Sequence, residues 1–510
     1  MREAQVKIKS IDELSRITGE LKQKKKKIIH CHGVFDLLHP GHIKHFEAAK
    51  NHGDVLVVTI TRDEFVNKGP GRPIFNQRLR AESIAAIESV DYVAVNDWPS
   101  AVETIRRLKP DLYVKGKDYA ARDEDITGKI SEEEAAVKSV GGSIHFTDEI
   151  SFSSSALINS FFTPYPEEAK DFFQQFRRSH SAPEIINALK STKDLKVLVI
   201  GDIIIDEYHY CTGIGKAQKD NIIVTRYVNE QIFAGGVLAA ANHVAGFCEN
   251  VTLVTCIGTR NDYVDFINRR LKPNIVRQFY FDEQKPTVVK RRFVDPAFLN
   301  KLFEICYIDQ NNQMPPAVEN QICEYLEANI GNFDLVLTAD FGHGMITARI
   351  VDLICRKANY LAVNVQTNSA NIGYNLITKF PRADYICIDE PEIRLACSDK
   401  YSDLEKLILN VSRRLNCERV VITRGHRGAL AYAKKEGFSA SPVFSRDVVD
   451  RIGAGDAFFS VTAPCAARGN SMDTIGFIGN AAGAMKVLIV GNSASVEPVP
   501  LYKYITTLLK

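Results

Sequence analysis

Two short stretches of this 510-residue chain carry the residue types of phosphate chemistry. In the first, Gly33-Val34-Phe35-Asp36 leads into His39-Pro40-Gly41-His42. Proline suits the first helical turn, where its missing N–H would find no partner anyway. Two imidazoles and a row of first-turn amides therefore meet at the positive end of a helix dipole. Such a place favours a polyphosphate, and above all the charge that grows on it during displacement. In the second stretch, Gly453-Ala454-Gly455-Asp456 precedes an apolar helical run. Its amides can hold phosphate oxygens, and Asp456 at the helix mouth can accept a hydroxyl proton.

Each stretch needs a scaffold. Apolar, β-branched runs at Ile28–Ile29, Val55–Ile60, Tyr92–Val95, Leu112–Val114 and Ile144–Phe146 alternate with helical patterns over 43–50, 76–87, 101–108 and 131–140. That alternation predicts a parallel sheet covered on both faces by helices. A further helix is expected over 154–162. The Phe162-Thr163-Pro164-Tyr165-Pro166 segment closes this unit, and Lys196–Asp202 opens a second one with another apolar strand. The expected organisation is a domain at 1–162, a helical linker at 163–192 and a larger α/β domain at 193–510.

Composition narrows the function classes. A net charge of +2 argues against a nucleic-acid surface, and Lys24 to Lys27 read as a solvated turn. No stretch is apolar enough to span a bilayer, and the start of the chain lacks a secretory core. Eleven cysteines without a C-x-x-C pair point to reduced thiols in a cytoplasmic protein, with Cys31, Cys256, Cys306, Cys387 and Cys465 expected to be buried.

The Gly33–His42 segment resembles the signature of the cytidylyltransferase-like nucleotidyltransferases. The likeness continues through Gly53–Val58, Thr61–Glu64, Arg78 with Glu82–Ile84, Val114–Tyr119 and Ile150–Ser155. It implies a Rossmann-like domain in which His39 and His42 hold a nucleoside triphosphate with Lys44 as an assisting cation. Gly33, Phe35, Asp36, Lys115, Ser153 and Ser154 would line the nucleotide, with Asp36 orienting the loop or the nucleotide.

The second half resembles the ribokinase-like sugar kinases through Gly201-Asp202 with Asp206, Phe233-Ala234-Gly235-Gly236, Asp340–Gly344, Val421–Gly425 and Gly453–Asp456. The resemblance implies a ribokinase-like α/β sandwich domain with Asp456 as base and Gly453, Ala454 and Gly455 as anion hole. Thr423 and Gly425 would meet ATP. Asp202, Asp206, Gly235, Gly236, Lys285 and Asp340 would meet the sugar. Asp389 and Glu392 would stand near Mg²⁺; their alternative role is helix capping. Two residues depart from the pattern: Ala239 replaces an expected Asn, with Asn242 further on, and Arg451 replaces a small residue.

Lys285–Arg291, Asp340–Gly344 and Lys115–Tyr119 also resemble the bifunctional heptose-phosphate kinase/heptose-1-phosphate adenylyltransferases, here with the two domains in reversed order. The combination implies a kinase that makes a sugar 1-phosphate from ATP, and a transferase that joins it to ATP or CTP for surface-polysaccharide assembly. Mg²⁺ is expected in both halves. The expected partners are sugar phosphate and nucleoside triphosphate substrates and a second copy of the chain, with neither nucleic acid nor membrane. Two alternatives stand beside this reading. One is a CDP-polyol-forming cytidylyltransferase like those acting on glycerol 3-phosphate. The other makes the C-terminal half a sugar-binding or dimer-forming module without catalysis.

Overall fold

The computed structural model describes residues 2–116, 129–147, 165–261, 263–309 and 313–510. The chain forms two compact units: 1–164 together with Tyr502–Lys510, and Tyr165–Leu501.

The first unit is built on β1 (Ile28–Gly33), β2 (Val55–Thr61), β3 (Tyr92–Asn96), β4 (Leu112–Gly116) and β5 (Ser143–Thr147). They lie side by side in the order β3-β2-β1-β4-β5, every pairing parallel. Every residue of β2 is buried, as an apolar strand covered on both faces requires. β1 is the central strand of this order, flanked by β2 and β4. The Pro40–Lys50 helix follows β1, with His39 as its N-cap and Pro40 in its first turn. The helix expected over 154–162 lies outside the described residues.

The second unit contains β6 (Lys196–Gly201), β7 (Ile203–Lys216), β8 (Ile223–Gly236), β9 (Asn250–Gly258), β10 (Ile275–Asp282), β11 (Val289–Asp295), β12 (Asn300–Tyr307), β13 (Leu335–Asp340), β14 (Leu361–Val365), β15 (Tyr385–Asp389), β16 (Arg419–Thr423), β17 (Ala429–Ala433) and β18 (Gly437–Ser441). A nine-stranded sheet runs β10-β9-β6-β13-β14-β15-β16-β17-β18, and a separate four-stranded sheet runs β12-β11-β7-β8. The large sheet is parallel except at β17 and β18, which return as antiparallel hairpins.

Residues 163–192, expected as a linker, include the helices Glu167–Phe176 and Ala182–Lys190. Both belong to the second unit, where Phe173 and Phe176 pack on Phe444 and Phe477. The C-terminal end differs from the sequence expectation too, because Tyr502–Lys510 joins the first unit. Gly69 lies so close to Tyr504 that a Cβ there would stand 1.9 Å from its ring. The cysteines are all unbridged; Cys306, expected to be buried, is exposed on β12. No helix among the described residues is long and apolar enough to cross a membrane.

Candidate functional site

In the first unit, β1 delivers Gly33 and Phe35 to the mouth of the Pro40–Lys50 helix. Phe35 takes a positive φ of 48° and lays its ring over Gly33, where a Cβ would stand 2.9 Å from Phe35 Cζ. The same ring meets His42 edge-on at 5.3 Å, and His42 stacks on His39 at 3.8 Å. Burial pushes the His42 imidazole down to about 3, helped by His39, His45 and Lys68. Burial also lowers His39. Both rings are therefore neutral near pH 7, able to donate one N–H each. Nδ1 of His42 is buried and has no hydrogen-bond partner among the described residues.

Asp36, expected to orient the loop or the nucleotide, holds a loop, while Lys115 and Lys44 stand differently from the expectation. Asp36 is buried and accepts the N–H of Ile74 at 2.7 Å and of Phe75 at 3.2 Å, with Arg72 Nη1 at 3.6 Å. It pins the 72–75 loop. Lys115 pairs with Glu133 at 3.0 Å, and the Tyr113 hydroxyl donates to the same carboxylate at 3.0 Å. Its charge is thus already balanced inside the protein. Lys44 is exposed and, two residues after His42, lies about 200° around the helix from it. The cation whose field reaches His42 is Lys68, which sequence reading missed. Ser153 and Ser154 lie outside the described residues.

In the second unit, a cavity of about 840 Å³ is lined by Asp206, Gly236, Asp389, Glu392, Thr423 and Gly425 and by the whole Gly453–Asp456 turn. Gly453 caps the Ala454–Ala467 helix with φ 78°, a conformation that costs a side chain dearly. Beyond it the Ala454 N–H bonds Arg451 O at 3.3 Å, and the Gly455 and Asp456 amides, on residues that line this space, have no acceptor inside the helix. Burial pushes the Asp456 carboxyl up to about 6; Lys486 and Lys290 pull it down and Asp206 pushes it up. It is ionised at neutral pH yet basic enough to take a proton.

Two cations of β11, Lys290 and Arg292, also line the cavity. Arg292 Nη1 is 2.5 Å from Asp206 and its Nε 2.7 Å from Glu304. Gly235 leaves room for this arrangement, since a Cβ there would be 2.1 Å from Asp206 Oδ2.

Three residues expected at the sugar are turned elsewhere. Asp202 is buried and accepts the N–H of Phe341 at 2.8 Å and of Met345 at 2.9 Å, bracing the loop after β13. Asp340 is buried against Lys379 and Gly342, and Lys285 faces Asp282 at 3.6 Å. None of the three lines the cavity. Asn242 is likewise occupied, holding Arg270 O at 3.0 Å and the Lys272 N–H at 2.9 Å, and neither it nor Ala239 lines the cavity. Arg451 does.

Asp389 and Glu392 form a capping box on the Glu390–Cys397 helix, each accepting the other's backbone N–H, at 2.8 and 2.7 Å. Glu392 also accepts from Thr367 at 3.0 Å. Burial, with Asp389 adding to it, pushes Glu392 up to about 8. A divalent cation beside them would draw off the Glu392 proton, and the two carboxylates, with the carboxamides Asn364 and Gln366 that also line the cavity, are then hard oxygen donors of the kind Mg²⁺ takes. Among the described residues no group of three or more His, Cys, Asp or Glu side chains could hold a metal on its own. The donor set fits a magnesium ion that arrives with the triphosphate.

The sequence profile of the pfkB family carbohydrate kinases matches residues 194–498, more than half of the chain. The chain belongs to the pfkB family. This pfkB-family protein also matches the cytidylyltransferase-like profile over residues 30–167. Its N-terminal half is 41% identical over 138 residues to the bifunctional protein HldE of Aliarcobacter butzleri, covering 26% of this chain and 29% of that one. It is 36% identical over 169 residues to HldE of Geobacter metallireducens, covering 32% of this chain and 33% of that one. The match thus spans about a third of the length of these relatives. The crystal structure of phosphofructokinase-2 from Escherichia coli in complex with substrates and products aligns with a TM-score of 0.50 at 12% identity, over 62% of this chain and 100% of that one. That likeness concerns the fold of the second unit. The protein is an enzyme of the transferase class, with a carbohydrate kinase domain behind a cytidylyltransferase-like one.

Proposed function

We propose that the protein builds a nucleotide-activated sugar in two steps, phosphorylating the anomeric hydroxyl of a sugar that already bears a phosphate, then transferring a nucleotidyl group to the new 1-phosphate. The observation that carries this reading is the single cavity lined by Asp456, its amide turn, Lys290 and Arg292. Arg292 is already held by Asp206 and Glu304, but Lys290 makes no ion pair among the described residues, and a phosphate on a heptose-like sugar would give it one.

In the kinase half, Asp456 takes the proton of the anomeric hydroxyl as that oxygen bonds to the γ-phosphorus, and the bond to ADP breaks. The turn amides receive the charge on the equatorial oxygens. Thr423 and Gly425 border the nucleotide end of the cavity. Asp206, held by Arg292, sits at the sugar end. Asp389 and Glu392 would hold Mg²⁺ through water, and the ion supplies charge neutralisation to the triphosphate.

In the transferase half, an ionised oxygen of the sugar 1-phosphate attacks the α-phosphorus and pyrophosphate leaves. No base is required, so positioning and charge stabilisation suffice. His39 and His42 donate their ring N–H groups to the triphosphate. The preferred nucleotide is ATP, with CTP as the competitor.

A second copy of the chain has support in the four-stranded sheet. Phe303, Ile305 and Tyr307 of β12 and Ile223 and Tyr227 of β8 are all exposed on it. A homodimer would cover them. The balanced charge and unbridged cysteines fit work in the cytoplasm.

The test is mass spectrometry of products from a pool of sugars and sugar phosphates supplied with ATP and CTP. A sugar 1-phosphate followed by an ADP- or CDP-sugar is the expected pair. A CDP-polyol with no phosphorylated sugar refutes the scheme.

A further inference from the structure

The reaction just described leaves one buried cation unused. Lys486 ends the Met472–Lys486 helix and is 0% exposed. Its Nζ donates to the carbonyl of Ile452 at 2.8 Å and to that of Gly491 at 2.6 Å. Among the described residues it makes no ion pair; Asp450, Asp456 and Asp206 act on it only through their fields, opposed by Lys301. Backbone carbonyls converging on a charge sealed from water are the surroundings of a bound monovalent cation. Here that cation is attached to the chain.

Its position decides what it can do. Lys486 stands behind the cavity wall, while Ile452, Gly453, Ala484 and Val487 form it. In a planar trans peptide, C=O and N–H point in opposite directions. The Ile452 carbonyl faces back toward the ammonium, so the Gly453 N–H faces forward into the cavity. A Cβ on Gly453 would stand 3.1 Å from Lys486 Cε and 2.5 Å from Asn492 Oδ1, so the side chain presses on the turn itself. The helix end is stitched to the same turn by the N–H groups of Val449 and Asp450, which both donate to Val487 O, at 2.8 and 2.9 Å.

We propose that Lys486 is the resident monovalent cation of the kinase half: its ammonium fixes the 452–453 peptide so that the Gly453 amide faces the transferred phosphoryl group, and its charge offsets the carboxylates around the turn. It is a positioning residue that touches neither substrate. The proposal rests on the reading of the Gly453–Asp456 turn as the phosphoryl site. It makes the kinase indifferent to added monovalent salts, because the seat is filled from within.

The experiment compares the full-length wild type with Lys486→Met and Lys486→Ala in sugar-dependent ATP consumption. The salt is tetramethylammonium, potassium or ammonium chloride at equal ionic strength. The wild type is expected to work at the same rate, within twofold, in all three. Lys486→Met should lose about 10²-fold in kcat, the loss typical of a misplaced oxyanion donor, with the sugar KM nearly unchanged. Lys486→Ala should lose as much and regain at least about tenfold in ammonium chloride, which fits the vacated seat. Tetramethylammonium is too large to do so. The acid limb set by Asp456, which faces Asp206, Lys290 and Lys486, should move to higher pH in both variants.

A folded Lys486→Met with wild-type kcat overturns the proposal, as does recovery of Lys486→Ala by tetramethylammonium. Should both variants fail to fold, the wild type decides: a rate that rises more than about threefold from tetramethylammonium to potassium overturns it, and an unchanged rate supports it. A wild type inert toward every sugar phosphate sinks the two-step reading instead.

Discussion

Acid should undo the first unit through its buried imidazoles. His30 of β1 is fully buried, with Nε2 2.7 Å from Thr59 Oγ1, and His32 places Nδ1 2.9 Å from the same oxygen. Burial pushes both imidazoles down to about 3. Both are therefore neutral in the fold, whereas the unfolded chain protonates them below about pH 6.5. Between about pH 6 and 4 the unfolded state binds the extra protons, so stability falls as pH falls. Each such group contributes a slope of about 1.4 kcal/mol per pH unit, and the two together about 3. A drop from pH 6 to pH 5 thus removes a sizeable part of a typical stability of about 5–15 kcal/mol. In the second unit, His243 pulls the same way, but Asp340, Asp456 and Glu392 are raised and gain protons in the folded state, which offsets it.

The chain's single tryptophan, Trp98, packs in the first unit with Arg107 4.8 Å above its ring. Urea unfolding followed by its fluorescence therefore reports that unit. With a urea slope of about 1–3 kcal/mol per molar, the midpoint should fall by about 1 M or more per pH unit below pH 6. His42 and His45 of the same unit are lowered too and add to the slope, so His30→Gln should remove about a quarter of it. A midpoint unchanged between pH 6.5 and 5 would refute the argument.

Three further outcomes concern the sites. Asp456→Asn should cut sugar-dependent ATP consumption by at least about 10²-fold and leave pyrophosphate release by the transferase half intact; in the wild type the kinase acid limb should fall near pH 6, where Asp456 protonates. His42→Ala should do the reverse, stopping pyrophosphate release while ATP is still consumed with sugar, as separate assays on one preparation will show. Arg292→Met removes the partner of both Asp206 and Glu304, so the KM for a phosphorylated sugar should rise at least about tenfold, more than that for ATP.

The sheet of the first unit was legible because its strands are continuous apolar runs, and the Pro40 helix start because proline and the flanking histidines mark it. Residue type did not say which way a buried carboxylate points. Asp202 and Asp340 were assigned to ligands, and both satisfy backbone amides or a lysine of the protein instead, whereas Asp36, weighed for orienting the loop or the nucleotide, holds the 72–75 loop. The Asp389-x-x-Glu392 spacing did announce a capping box, one of the two roles weighed for it. Lys68 lacked any local signal, since only the folded loop brings its field to His42. Lys290 and Arg292 alternate along β11 on one face, a period-two pattern that could have flagged them once that strand was recognised. The attachment of the last nine residues to the first unit joins parts of the chain hundreds of positions apart, and no local pattern encodes that.

That attachment has a consequence for biosynthesis. The segment Tyr502–Lys510 belongs to a unit whose other residues leave the ribosome first, with some 340 residues of kinase made in between. The cytidylyltransferase-like unit is thus begun before the kinase residues and completed only after them. No single backbone cut frees it whole, and an early stop codon that spares every kinase strand would still leave it short of its closing piece.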